Sequence, residues 1–146
     1  MQRYFHWPCI LAFFLVGCGT PWANTGPKHQ VGKARVCVLR RFTALGGGPI
    51  KITENGKSVG KIDRGGILQF ETEPGTVIIE ASGAGVSKLT VDAAADKQYF
   101  VEVRKSRVPG SRSRKIEIHS LSDGEGKRLL EMNRQEGDPQ RGWQGL

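Results

Sequence analysis

From Ala34 onward the chain alternates apolar and polar positions in short runs, with turn residues between the runs. A period of two places successive side chains on opposite faces of a strand, so each run predicts a β-strand with one buried face. Ala34–Arg40 is the first, and Phe42–Gly48 connects it to the next. Ile50 and Ile52 alternate with Lys51 and Thr53. Glu54-Asn55-Gly56-Lys57 then supplies Asn-Gly, the strongest short hairpin signal, because both residues accept positive φ. Val59 and Ile62 mark the return strand, and Asp63-Arg64-Gly65-Gly66 turns the chain into Ile67–Glu71. Glu73-Pro74-Gly75-Thr76 has Pro and Gly at the central positions of a type II turn. It leads into Val77–Ala81, whose mostly apolar run predicts a central strand. Leu89 with Val91, Tyr99 with Val101 and Val103, and Ile116 with Ile118 predict the last three.

Seven to eight short strands at this spacing predict an all-β fold, an antiparallel β-sandwich or small barrel, over residues 34–121. No helix-length pattern interrupts them, which excludes a parallel α/β sheet. A short C-terminal helix is expected over 122–136. Ser122-Asp123-Gly124-Glu125 matches a capping box, and Leu129, Leu130 and Met132 would form its narrow apolar side. Residues 137–146 are polar, and Pro139 bars a continuation of the helix, so a disordered tail is expected.

The first apolar run has another character. Arg3 is followed by Ile10–Val16, a run too short to cross a bilayer as a helix, and then by Gly17 and Cys18. Leu15-Val16-Gly17-Cys18 resembles the bacterial lipobox, where cleavage falls before a Cys that then carries lipid. The resemblance implies a signal peptide over 1–17, lipidation at Cys18 and permanent attachment to a membrane, because two or three acyl chains hold where one does not. An ordinary secretory signal with an incidental Cys18, or a buried core helix, is the competing reading. Gly19 in place of Asp leans toward the outer membrane of a bacterial envelope, with the domain facing the periplasm. Residues 18–33 then form a flexible tether rich in Gly, Pro, Asn and Thr, spanning roughly 20 Å as a coil. Trp22 could rest at head-group level or be solvated.

The chain has 146 residues and a formal charge of +8, of which the leader takes one positive charge, so one modest and basic domain remains. A basic surface suits anionic neighbours: phospholipid head groups, anionic envelope polymers such as lipopolysaccharide or teichoic acid, or an acidic protein. Solubility alone would also account for it. Nucleic acid fits the charge but not the location. Of three cysteines, Cys9 leaves with the leader and Cys18 carries lipid. Cys37, between Val36 and Val38, is expected as an inert thiol inside the sandwich, with an intermolecular bridge as the alternative.

Three motifs carry a second resemblance: Asn55-Gly56-Lys57-Ser58-Val59-Gly60, Glu73-Pro74-Gly75-Thr76 and Lys97-Gln98-Tyr99-Phe100-Val101. Together they resemble PEGA-like sandwich domains and a related family of uncharacterised bacterial lipoproteins, over about half the chain. The likeness implies an anchored extracytoplasmic module, and no catalytic residues come with it. Ala93-Ala94-Ala95-Asp96 stands where a shorter glycine-containing turn is common in that pattern.

Candidate chemistry is sparse. After cleavage the histidines are His29 in the tether and His119 in the last strand, and no His, Cys and Asp cluster at ligand spacing is present. No G-x-S-x-G elbow occurs, and Gly46-Gly47-Gly48-Pro49 lacks the Lys-Ser/Thr ending of a phosphate loop. No enzyme activity, metal or cofactor is expected. The sharpest feature is basic: Arg104, Lys105, Arg107, Arg112, Arg114 and Lys115 flank Val108-Pro109-Gly110-Ser111, the tip of a long hairpin. Such a hairpin could hold the domain against an anionic leaflet or bind a polyanion or acidic partner. It also suits a solvated sheet edge, where cations discourage aggregation. The expectation is a membrane-anchored binding or assembly module, or a structural accessory subunit of an envelope complex.

Overall fold

The computed structural model describes residues 30–42 and 47–136. The leader, Cys18, the tether as far as His29 and the tail from 137 lie outside the described residues. Eight strands and one helix follow in order: β1 Ala34–Leu39, β2 Ile50–Glu54, β3 Lys57–Ile62, β4 Ile67–Thr72, β5 Gly75–Gly83, β6 Gly85–Ala93, β7 Gln98–Arg107, β8 Arg114–Leu121 and α1 Asp123–Glu136. They make two four-stranded sheets, ordered β4-β1-β7-β8 and β3-β2-β5-β6. β5 is an inner strand, as its apolar run predicts.

The pairing is antiparallel everywhere except between β1 and β7, which are parallel. That exception has a local cause. The chain crosses from β6 to β7 through residues 94–97 and arrives beside the start of β1. Asp96 adopts φ 58°, and its carboxylate accepts the Gly32 N–H at 2.8 Å. Its own N–H donates to Lys33 O at 3.0 Å, and Arg35 N–H donates to Lys97 O at 2.8 Å. Asp visits this left-handed region because its short side chain can bond locally.

Alternation sorts the side chains into two cores. Val36 and Val38 of β1, Ile50 and Ile52 of β2, Val77, Ile79 and Ala81 of β5, Val101 and Val103 of β7, and Ile116 and Ile118 of β8 meet between the sheets. The opposite face of the first sheet carries a smaller cluster of Cys37, Leu39 and Phe100, which Leu129 and Leu130 of α1 cover. Cys37 is free and buried, as expected, but it lies under the helix and not inside the sandwich. The period of two is the reason: a residue between two inward valines points outward.

The helix begins at the expected capping box. Glu125 N–H donates to Ser122 Oγ at 3.4 Å, and Ser122 N–H donates to Glu125 Oε2 at 3.2 Å. Its buried stripe differs from the expectation. Gly126, Leu129, Leu130 and Asn133 face the sheet, at helical spacing of i, i+3, i+4 and i+7, while Met132 is exposed. Gly126 allows close approach to Phe100. Asn133 Nδ2 donates to Arg40 O at 3.1 Å and to Gly66 O at 3.2 Å, which ties the helix to the end of β1 and the β3–β4 turn.

Candidate anion-binding site

The six basic residues predicted as one group do lie on a single hairpin, yet strand alternation divides them. In the β7–β8 ladder Arg104 faces Glu117, Lys105 faces Ile116, and Arg107 faces Arg114. The tip is closed by Val108 N–H to Ser113 O and Ser111 N–H to Val108 O, both 3.1 Å, and Gly110 supplies φ 74°. Arg112 is exposed within it.

Arg104 and Lys115 lie on the outer face and share Glu117, each at 2.8 Å. Hydrogen bonds from Lys115 and then Arg104 pull the Glu117 carboxyl down to about 2. These two cations are therefore largely spent on a carboxylate within the hairpin.

Lys105, Arg107 and Arg114 share strand parity with the inward residues Val103 and Ile116, but they lie past the end of the core. Lys105 Nζ donates to Gly48 O at 2.8 Å. A β-carbon placed on Gly47 would meet Arg114 Nη1 at 3.0 Å and Lys105 Nζ at 3.3 Å, so both heads converge on that glycine. Directly opposed like charges destabilise a ladder, and Arg107 faces Arg114 in this one. Arg107 and Arg112 have no ion pair among the described residues.

A seventh cation joins them, one that sequence reasoning missed. Arg40 follows β1 and is only 3% exposed. Its Nη1 donates to Gly48 O at 3.2 Å and Ile62 O at 3.1 Å, and its Nη2 to Gly47 O at 3.0 Å. Burial lowers its pKa, against the opposing influence of Asp63. Lys105 is also lowered, first by burial and then by the positive charges of Arg40 and Arg114. Arg40 and Lys105 thus donate to the same Gly48 carbonyl oxygen. The sequence signal was weak: an Arg closing an apolar run reads as solvated, and Gly46-Gly47-Gly48 reads as a turn.

The parallel pairing of β1 and β7 fixes where this basic end lies. The domain's first described residues sit at the start of β1, where Gln30 N–H donates to Glu71 Oε1 at 2.9 Å. β7 starts beside them and runs in the same direction, passing Leu39 at Glu102 and ending at Arg107. Ten residues of strand put Arg107 about 30 Å from that end. Two shallow depressions lie elsewhere, one of about 120 Å³ at Arg35, Asp96, Lys97 and Gln98, and one of about 260 Å³ at Arg41, Glu125, Arg128, Leu129 and Met132. Among the described residues there is no His, Cys, Asp and Glu group fit for a metal ion, and no helix long and apolar enough to cross a membrane.

No family model matches the chain. No curated protein is similar to it. Among solved structures it is similar to the N-terminal domain of AlgF from P. aeruginosa, at 16% identity and a TM-score of 0.41, covering 65% of this chain and all of that one.

Proposed function

We propose that the protein is a lipid-anchored module of the bacterial cell envelope that binds an anionic partner at the basic end of its sandwich, without catalysis. One observation carries the reading: Arg40, Lys105 and Arg114 converge on the Gly47-Gly48 backbone, where Arg40 and Lys105 donate to carbonyl oxygens. The lipobox-like Leu15-Val16-Gly17-Cys18 supports the anchor and a position on the extracytoplasmic side. The two-residue Asn55-Gly56 turn, with φ of 46° and 82°, is a type I′ hairpin and supports kinship with PEGA-like modules.

The orientation bears on the partner. The basic tip stands at the end of the domain opposite to where the chain comes in from the anchor. Residues 18–29 span roughly 20 Å as a coil and ~40 Å only when pulled straight, so with a relaxed tether the tip meets the anchoring leaflet only if the domain lies on its side. A partner in the periplasmic space, an anionic envelope polymer before an acidic protein, suits this geometry better than the leaflet itself.

The full-length protein, solubilised from membranes in non-ionic detergent, tests the reading. Co-purification of an anionic glycan or polymer, lost as salt shortens the screening length from about 10 Å at 0.1 M to 3 Å at 1 M, is expected. Stoichiometric capture of one protein complex that survives high salt would favour the structural accessory role. Cys18→Ser is expected to leave an unprocessed or soluble form, and unchanged mass and detergent partitioning would remove the anchor.

A further inference from the structure

We infer that Lys105, Arg107 and Arg114, floored by Gly47-Gly48 and backed by Arg40, form a discrete site for a phosphate-type oxyanion. This deepens the reading of the basic end as the binding end, and rests on it.

Charge is the first argument. Three cationic side chains approach one glycine pair, and Arg40 and Lys105 donate there to backbone carbonyls, not to carboxylates. Carbonyl oxygens satisfy donors but do not neutralise charge. The hairpin's carboxylates, Glu102 and Glu117, lie on the other face, Glu102 held by Arg41 and Glu117 by Arg104 and Lys115. Arg107, directly across the ladder from Arg114, has no ion pair among the described residues, so its charge remains for an incoming anion.

Geometry is the second. Lys105 comes from β7 and Arg114 from β8, and their heads meet over Gly47, which has no side chain to fill the space. Any β-carbon at 47 would crowd both heads. Arg107 opposes Arg114 from the neighbouring strand, so donors approach from more than one direction. A tetrahedral oxyanion offers three or more oxygens and up to two charges to such a set, whereas a carboxylate offers two coplanar oxygens and one charge. Arg40, nearly buried, raises the local positive potential and cannot swing away to solvent.

The same chemistry could reach the site as free phosphate, as a phosphate on an envelope polymer, or as a phospholipid head group. The test uses the full-length processed protein in non-ionic detergent, with ionic strength held constant by chloride. Inorganic phosphate, inorganic sulfate and acetate are titrated by calorimetry, and Gly48 and Lys105 are followed by NMR. Saturable phosphate binding at least tenfold tighter than acetate is expected, with shifts confined to Gly47, Gly48 and the hairpin. The double variant Lys105→Met, Arg107→Ala is expected to lose at least tenfold in affinity, and Arg104→Ala with Lys115→Ala less than twofold. Should Lys105→Met disturb folding, Arg107→Ala alone carries the test, since Arg107 has no ion pair among the described residues. Polyphosphate and phosphatidylglycerol vesicles form the other two arms, and displacement of either by free phosphate identifies the source it mimics. Equal loss in the outer-face pair, or phosphate no tighter than acetate, would overturn the discrete site. If an anionic polymer still binds in that case, the broader function stands. Loss of all anion binding would remove both.

Discussion

Gly126 of the helix rests on the ring of Phe100: a β-carbon built at 126 would stand 2.1 Å from Phe100 Cγ. A glycine inside a helix ordinarily costs up to ~1 kcal/mol relative to alanine. Here the seat on the sheet reverses that sign. Gly126→Ala is expected to destabilise the domain by about 1–3 kcal/mol, the cost of overpacking. Gly124, two residues earlier, has nothing within 4 Å of the same built atom. Gly124→Ala should therefore stabilise by about 0.5 kcal/mol. Urea unfolding of both variants checks the contrast, and a stabilising Gly126→Ala would unseat the helix from Phe100.

Asn133 gives a second handle on the same contact. It is 2% exposed, and its amide serves Arg40 O and Gly66 O. Gly66 O keeps the Arg40 N–H at 3.2 Å if the amide is removed, but Arg40 O loses this donor. Asn133→Leu is expected to cost about 1–3 kcal/mol, the penalty for a buried acceptor left unmade. Met132→Leu, on the exposed neighbour, should stay within ~0.5 kcal/mol. Equal midpoints in denaturant would count against the pin.

These contacts show where sequence reading stops. Each strand was legible because alternation is local, and Asn55-Gly56 and Ser122 with Glu125 are short-range signals that need no partner. The helix face was read from Leu129, Leu130 and Met132 because apolar residues are the visible sign of burial. Gly126 and Asn133 are buried for other reasons, close approach and carbonyl acceptors, which no hydrophobic pattern records. The parallel β1–β7 pairing depends on a turn at 94–97 meeting residues 32–35, a relation across more than sixty positions. Arg40 was missed likewise: its partners come from Gly47, Gly48 and Ile62, and only the assembled fold brings them to it. The face of Cys37, by contrast, was available from alternation with Val36 and Val38.

Cys37 reports on the helix because it lies beneath it. The thiol is fully buried, and burial raises its pKa, against a weak Gln69 Nε2 bond at 3.5 Å. Thiolate is the reactive form, so a thiol reagent at pH 8 should label Cys37 slowly in the native protein and quickly in urea. In Gly126→Ala the labelling should speed several-fold below the unfolding transition, because the helix detaches before the sandwich opens. Rapid labelling of the wild type, or a dimer that disappears on reduction, would sink this assignment.

Glu117 sets the balance between the two faces of the basic hairpin. Its carboxyl is pulled from 4.5 to about 2 by Lys115 and Arg104. A depressed carboxylate contributes stability that is fully present above its unfolded value, near 4.5, and is lost as pH falls through about 2. The stability difference between wild type and Glu117→Gln should therefore be flat above pH 5 and shrink toward zero near pH 2. Both cations are about half exposed, so the difference at neutral pH should be modest, in the ~0.2–1 kcal/mol range of surface pairs. Binding should move the other way. Glu117→Gln releases Arg104 and Lys115 and removes the one carboxylate on β8, so affinity for a polyanion should rise at low salt and converge with wild type at 1 M. Phosphate at the Gly47-Gly48 site, on the other face of the ladder, should change less than twofold. A variant that loses polyanion affinity along with stability would mean that Glu117 organises the binding surface and does not merely offset its charge.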